Sequence, residues 1–260
     1  MNLDLYLDLI WQGETAVTLL LVFLRMSGFF FLFPVFRRPY CPTPVAVFLA
    51  IICALLIAPT LPGHPGGDPW SEIALEGIRE ITAGAALGFL AFLILVTGQM
   101  AGQFLDFQMG FFTASEVDPM LGVRVPLVGN YLYLLSMVLF LSFDGHHHVL
   151  RVLQESFTEV PLGTPLSSAV LPQVFSFMSW MFRAAFQVSL PVLACLFVTS
   201  VALGILARTM PQLNLFVLGI PIRILVGMTM LLAMTGVYAN FFRDGSGERM
   251  LDLFRLLRVW

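Results

Sequence analysis

The sequence predicts an all-α membrane protein built from long, bent and broken helices and helical hairpins. Of its 260 residues 58% are hydrophobic and only 11% are charged, and the mean hydropathy is +0.90. That composition leaves too little polar surface to cover a water-soluble globule. Apolar stretches recur along the whole chain, and the longest carries Pro191 near its middle. A helix satisfies its own backbone in lipid, and a proline inside it favours a break.

Six apolar stretches are candidates for these helices, and most approach or exceed the ~20 residues that cross a bilayer. They fall at 15–36, 43–61, 80–105, 127–143, 174–207 and 214–242. Before the third stretch, the proline- and glycine-rich run 62–67 predicts a turn. Asp68 or Ser71 is then expected to cap a helix of about thirty residues. With no long linker, the chain reads as one domain, 1–260.

The distribution of arginines conflicts with six simple crossings. If the Arg37/Arg38 pair is cytoplasmic, an even number of spans places the arginine-rich tail after residue 242 on the same side as the N-terminus, which is the wrong side for it. The conflict disappears if 174–207 is a broken hairpin, or if the protein does not sit in the membrane as simple spans. Broken helices need neighbouring protein or water at membrane depth, so both readings indicate an obligate assembly.

Charge and motif content exclude several classes of function. The net charge is −3 and all thirteen basic residues are arginine, without a basic cluster, so nucleic acid is not an expected partner. Cys41, Cys53 and Cys195 lie far apart and predict neither a disulfide framework nor a metal site. Adjacent imidazoles in Asp144–His148 point in different directions and read as a boundary turn. Without catalytic motifs or a cofactor loop, we expect no enzyme and no cofactor.

Four glycines in the third stretch predict close helix packing. Gly84 and Gly88 form one G-x-x-x-G pair, and Gly98 and Gly102 form another. Because fourteen residues separate the pairs, both fall on nearly one face of a helix. A neighbouring helix can approach closely there.

A second face of the same helix is polar. Gln99, Gln103, Asp106 and Gly110 recur at steps of four and three, which return to one side of a helix. Buried amides need partners, so this face either makes polar contacts between packed helices or borders a water-filled path.

Three arginines lie inside apolar segments: Arg25, Arg183 and Arg223. Each costs ~2.5–3.5 kcal/mol at a helix centre on insertion scales. With almost no carboxylate at matching depth except Asp106, we expect them to make contacts between helices or subunits rather than only to extend to the membrane surface.

A set of short motifs, in order and at matching spacing over nearly the whole chain, resembles the flagellar biosynthetic FliR family. They are Arg25-Met26-Ser27-Gly28 with Pro34, Cys53–Pro62 with Ala58-Pro59, Asp106–Gly110, Asp118-Pro119, Phe140-Leu141 with Asp144-Gly145-His146-His147, Ser156-Phe157 with Pro161, and Ala207–Gln212 with Asn214. The related SctT component of virulence type III secretion is similar in design, but the Asp144–His147 and Ser156–Pro161 patterns look more like the flagellar branch.

The resemblance implies a component of an export gate in the bacterial inner membrane, at the flagellar basal body. It implies hetero-oligomeric assembly with FliP and FliQ, work with FlhB and FlhA, contact with membrane lipid, and passage of unfolded export substrates. It also implies a FliP-like part at 1–165 and, at 166–260, a FliQ-like hairpin plus tail, turning at Thr209–Asn214. Helices of the family bend and partly leave the bilayer, so part of the complex is expected to rise toward the periplasm.

The resemblance further implies that the loop after the glycine-rich helix plugs the closed pore. Its matching residues are Asp106, Gln108, Met109, Gly110, Phe111, Phe112, Asp118, Pro119 and Met120. Large aromatic and deformable methionine side chains suit a seal that yields to a passing chain, and the glycines and proline supply hinges.

Other readings remain open at the level of sequence. The segment after residue 106 can be an ordinary interhelical loop. The chain can also be a gate component of a virulence system, a secondary transporter, or a structural nucleator that partner subunits assemble around without its touching cargo.

Overall fold

The all-α prediction is confirmed. The computed structural model describes residues 13–36, 42–63, 69–111, 126–165, 167, 170–210 and 215–257. Within these ranges there are seven α-helices, two short 3-10 turns and no β-strand. The helices are α1 (Gly13–Leu32), α2 (Thr43–Ile57), α3 (Trp70–Met109), α4 (Leu127–Ser142), α5 (Gly145–Glu159), α6 (Val170–Thr209) and α7 (Leu215–Leu257), and the 3-10 turns are Pro34–Phe36 and Ala58–Thr60.

Fewer helices are suited to crossing a membrane than the six apolar stretches suggested. By length and composition, the described residues contain four candidate spans, or five if α4 and α5 together form one broken span. The four are Thr43–Thr60, Trp70–Met109, Val170–Thr209 and Leu218–Asp244. Among the described residues, α1 contributes a shorter apolar stretch, Ala16–Leu32.

The broken hairpin proposed for 174–207 is wrong. Helix α6 runs unbroken for 40 residues with Pro191 inside it. One proline removes one N–H donor, and a long helix can carry that loss as a local distortion. Two helices instead flank the segment 210–214, of which the structure describes only Met210.

Three helices occupy sequence well outside the six apolar stretches. Helix α3 has 40 residues rather than about thirty, because it starts at Trp70, between the two expected caps, and continues through Asp106 to Met109. Helix α7 continues past residue 242 to Leu257. Helix α5 lies outside the six apolar stretches and buries Val149, Val152, Leu153, Ser156 and Phe157, a spacing that places one stripe on the core.

The chain forms two compact units, and both are discontinuous in sequence. Unit 1 comprises Met1–Leu93, Gly145–Phe177 and Glu248–Trp260, and unit 2 comprises Ile94–Asp144 and Met178–Gly247. Helices α3, α6 and α7 each contribute to both. The predicted division at residue 165 into FliP-like and FliQ-like parts is not tested by these units and stays a prediction.

In unit 1 the core is built on α1. Phe29 and Phe33 stack with ring centroids 5.2 Å apart and are buried. Helix α2 turns its alanines inward, at Ala46, Ala50 and Ala54. Small side chains at four-residue spacing permit close helix approach and leave the larger residues of α2 facing outward.

In unit 2 the core surrounds the second half of α3. Ser136 of α4 and Tyr238 of α7 share a short hydrogen bond beside it, and Phe104 meets Phe186 of α6 edge to face at 6.2 Å. Helix α3 ends where Gly110 takes a φ of 90°, a left-handed conformation that closes a helix cheaply only with glycine.

Candidate functional site

In unit 2 a buried carboxylate joins the two helix ends that flank residues 110–126. Asp106, three residues before the end of α3, is fully buried. Its Oδ1 accepts the backbone N–H of Val128 at 3.0 Å, and its Oδ2 accepts that of Gly129 at 2.9 Å. One side chain thereby binds the first turn of α4 to the last turn of α3.

The first turn of α4 has no local cap for Asp106 to compete with. The helix begins after Pro126, which offers no side-chain hydrogen bond to it. The first N–H groups of a helix lack intrahelical partners and carry the positive end of the helix dipole. A carboxylate from another helix satisfies two of them and is itself stabilised there.

The second glycine pair brings the two helices close enough for this contact. A Cβ added to Gly102 would lie 2.5 Å from the Cα of Gly129, and one added to Gly98 would collide with the Ser136 and Tyr238 hydroxyls. Backbones this close require glycine at both positions. The glycine pair therefore positions Asp106 over the end of α4.

The described residues of the predicted plug differ in how deeply they are buried. Met109 is fully buried, and its side chain fills the space beside Gly227 of α7. Gln108 and Phe111 are partly exposed, and Gly110 is buried. Phe112, Asp118, Pro119 and Met120 lie outside the described residues. The plug role stays a prediction, with Met109 placed as a packing residue inside unit 2.

Unit 1 contains a buried ion pair that sequence reasoning missed. Arg25 of α1 and Glu80 of α3 are each 1% exposed, with Nε to Oε2 at 2.5 Å and Nη2 to Oε1 at 3.1 Å. The Arg25 guanidinium carbon also lies 4.4 Å from the centre of the Phe157 ring. The carboxylate expected to be missing at the depth of Arg25 is therefore supplied by this chain, and no other subunit is needed for it.

The remaining donors of Arg25 bind the end of helix α5. Nη1 donates to the carbonyl oxygens of Ser156 at 2.8 Å and Val160 at 3.2 Å, and Nη2 donates to Val160 at 3.1 Å. The last carbonyls of a helix lack intrahelical donors and favour a cation nearby. The Ser156-Phe157 motif thus marks the place where α5 ends on Arg25.

Glu80 extends the network into the turn after α5. Its Oε1 accepts the N–H of Gly163 at 2.9 Å, and Arg79 donates to the Gly163 carbonyl at 2.9 Å. Gly163 has a φ of 78°, which favours glycine. The pair is therefore fully hydrogen-bonded, the condition under which a buried charge pair is tolerated.

The first glycine pair of α3 packs beside this network. A Cβ on Gly84 would collide with the Arg25 carbonyl, and one on Gly88 would lie 2.6 Å from the Phe29 carbonyl oxygen. The two pairs thus contact different helices, α1 and α4, in different units. Glu80 stands four residues before Gly84, so the same helical step that revealed the glycines could have revealed it.

Comparison with known proteins places the chain in a family. The family model described as "Bacterial export proteins, family 1" matches residues 16–248. The flagellar biosynthetic protein FliR of Bacillus subtilis is 35% identical over 247 residues, covering 92% of this chain and 95% of that protein. The chain belongs to the FliR family of bacterial export proteins. The resemblance read from the sequence motifs is confirmed.

Other relatives span both branches considered above. The FliR protein of Escherichia coli is 31% identical, covering 80% of each chain. The surface presentation of antigens protein SpaR of Shigella sonnei is 25% identical, covering 84% of this chain and 86% of that protein.

The other polar residues predicted to be buried differ from Arg25. In this FliR-family chain Arg183 is exposed on α6, its Nε donating to the Ser179 carbonyl at 3.3 Å. Gln99 and Gln103 are only partly buried. Arg223 is partly buried, and its Nε is enclosed without a hydrogen-bond partner in the described part of the chain. Contacts of these side chains with other subunits stay predictions.

The structure places two of the three cysteines, and it corrects the expectation that adjacent imidazoles point in different directions, which is wrong for His146 and His147. Cys53 and Cys195 are free and partly exposed, and Cys41 lies outside the described residues. The rings of His146 and His147 on α5 lie in contact, with centroids 4.1 Å apart.

Proposed function

We propose that this FliR-family chain is a component of the flagellar type III export gate in the bacterial inner membrane. It assembles with FliP and FliQ at the basal body, works with FlhB and FlhA, and contributes to the pore that unfolded flagellar subunits cross. The segment between α3 and α4 supplies the plug. The names of the Bacillus and Escherichia relatives support the flagellar assignment.

The observation that carries the plug assignment is the contact of Asp106 with Val128 and Gly129. It holds the start and the end of segment 110–126 together, so the segment leaves the helices and returns to nearly one point. A chain of that length with joined ends reaches at most about 27 Å from its base. Because the contact joins the two helix ends, α3 and α4 stay together whether the proposed obstruction is open or closed.

Because Met109 is buried, we assign it to the base of the plug and not to the obstruction itself. Its side chain is held against Gly227 and anchors the base of the segment. The obstruction then rests on the side chains beyond it, Phe111, Phe112 and Met120. Their bulk suits a seal against ions, and their lack of charge suits a surface over which a polypeptide slides.

The exposed apolar surface supports assembly with other helices. In the apolar windows of α6 and α7 only 17% and 11% of the residues are buried, against 61% in α3. Exposed side chains there include Phe175, Phe197 and Leu232. A helix that is apolar on every side requires lipid or neighbouring helices around it.

The virulence branch remains the second candidate, because SpaR matches over most of this chain. Expression in a strain that lacks its own FliR separates the two branches. Restored motility supports the flagellar assignment, and failure there with restored secretion in a strain lacking SpaR reverses it.

The plug is tested by ion conductance of the assembled complex. We expect the triple variant Phe111→Gly, Phe112→Gly and Met120→Gly to leak small ions at rest. Leu150→Ala, a truncation on the exposed face of α5, is the matched control and is expected to stay sealed. An unchanged conductance in the triple variant, with the complex intact, rejects the plug assignment.

Cross-linking of a stalled export substrate separates a gate from a scaffold. A photoreactive residue at position 111 or 112 is expected to capture the substrate. Capture confined to partner subunits shows instead that this chain nucleates assembly without touching cargo.

A further inference from the structure

Helices α6 and α7 line a cavity, open on one side, that neither the plug nor the helix packing uses. Its volume is about 210 Å³, and it is lined by Ser200, Leu203, Gly204, Ala207, Gly219 and Arg223. All six residues belong to unit 2. We call it the Arg223 cavity.

The partly buried guanidinium in this cavity differs from that of the fully buried Arg25. Arg25 binds a carboxylate and two carbonyl oxygens. The Nε of Arg223 is buried and has no hydrogen-bond partner among the described residues. Leaving a buried donor of a charged group unpaired is costly, so an acceptor from outside the chain is favoured there.

The neighbouring sequence offers no anion to neutralise it. From residue 160 to residue 243 the chain has four arginines and neither aspartate nor glutamate. The hydroxyl of Ser200, the other polar group of the cavity, donates to the Leu196 carbonyl at 2.8 Å. Arg223 is therefore the donor available to a ligand, and the local charge is positive.

Space for a ligand is present because two glycines line the cavity. A Cβ added to Gly204 would meet nothing within 4 Å, and one added to Gly219 would meet only the Leu203 side chain, at 3.8 Å. The described part of the chain thus leaves room beside the guanidinium.

The cavity lies near the end of a membrane-spanning segment. Helix α7 begins at Leu215, and Arg223 lies about 12 Å along the helix from that point. A side chain as long as arginine reaches the level of lipid headgroups from such a depth. Arg208, exposed in the last turn of α6, adds a second positive charge at this end of the two helices.

We propose that the Arg223 cavity binds the phosphate of an anionic lipid headgroup. The guanidinium supplies charge-assisted hydrogen bonds to the phosphate oxygens, and the exposed apolar surface of α6 and α7 accommodates the acyl chains. Basic cavities between membrane helices are the usual sites for such headgroups. The lipid thereby supplies the anion that residues 160–243 lack.

Native mass spectrometry of the assembled complex tests this proposal with phosphatidylglycerol, phosphatidylcholine and inorganic phosphate as probes. We expect phosphatidylglycerol to be retained in preference to phosphatidylcholine. Arg223→Gln should weaken that binding by about tenfold or more, because charge-assisted hydrogen bonds are lost. Arg223→Lys should restore part of it, because the charge is retained.

Two further variants test whether the loss of binding in Arg223→Gln is specific to this cavity. Gly204→Leu fills the open side of the cavity without changing charge and is expected to reduce phosphatidylglycerol binding as Arg223→Gln does. Arg243→Gln is the control, since Arg243 is exposed and pairs with Asp244, and binding should be unchanged. Elution of every variant as an intact complex shows that folding is retained.

Three outcomes overturn the proposal. Equal phosphatidylglycerol binding by the wild type and Arg223→Gln shows that Arg223 does not form a lipid site. Equal occupancy by inorganic phosphate shows a free-phosphate site instead of a lipid site. Loss of partner subunits in Arg223→Gln, with lipid binding intact in what remains, shows that Arg223 serves a carboxylate of a neighbouring subunit.

Discussion

The buried pair Arg25–Glu80 gives the sharpest quantitative prediction, through a double-mutant cycle. Arg25→Met leaves the Glu80 carboxylate buried with the Gly163 N–H as its donor, and it leaves the Ser156 and Val160 carbonyls without the Arg25 donors. Glu80→Leu leaves the guanidinium buried without its counter-charge. Breaking a buried pair from one side costs about 3–5 kcal/mol.

The double variant should lose far less than the sum of the two single losses. With both charges gone, the remaining cost comes from about three unsatisfied backbone groups, at about 1 kcal/mol each. We therefore expect a loss of about 3 kcal/mol, against about 6–10 kcal/mol if the two changes were independent.

The free energy of unfolding of each variant, measured by SDS titration of the purified protein in mild detergent, tests this expectation. The exposed pair Arg243–Asp244, 3.2 Å apart with side chains 58% and 71% exposed, is the matched control, and its cycle should give a coupling of about 0–1 kcal/mol. Losses at Arg25 and Glu80 that add to within about 0.5 kcal/mol would refute the reasoning.

Three further predictions concern unit 2. Asp106→Ala should destabilise the protein by about 2–4 kcal/mol, since two N–H groups lose a charged acceptor, and should speed hydrogen exchange in the first turn of α4. Unchanged exchange would contradict the role of Asp106 in joining α3 to α4. Gly102→Ala should lower the free energy of unfolding by more than about 2 kcal/mol, because the added Cβ collides with backbone. Gly236→Ala is the control: a Cβ there meets nothing within 4 Å, so the change should be neutral or stabilising by up to about 1 kcal/mol. Equal melting temperatures of the two variants would count against close packing at Gly102. Tyr238→Phe should lose about 0.5–1.5 kcal/mol, because Ser136 keeps its bond to the Leu132 carbonyl, and a loss above about 3 kcal/mol would show a larger role for that hydroxyl.

Sequence reasoning was strongest where the signal was local. Composition and apolar length gave the fold class and most helices. Helical spacing found both glycine pairs, because each lies on one helix and repeats every four residues. The same helical spacing could have revealed the apolar stripe of α5 and the position of Glu80. Both were missed because those segments were judged by their polar content alone.

The failures came from contacts between distant segments. The bonds of Arg25 join positions 55 and 131 residues away in the chain, and no periodicity in the sequence records such a partner. The role of Asp106 depends in the same way on where α4 begins. Pro191 shows the opposite error, since a strong local signal for a break was overruled by a helix that continues for 18 residues beyond it.

The interleaved order of the two units constrains how the chain matures during synthesis. Unit 1 needs the segment after Gly145 to meet the first 93 residues, and unit 2 needs residues up to Gly247 to meet those after Ile94. A nascent polypeptide still attached to its ribosome therefore holds the second half of α3 without its α7 neighbours, Gly227 and Tyr238, until those residues have been synthesised. During that interval the insertion machinery, lipid or other newly made proteins must shield the side of α3 that α7 later covers.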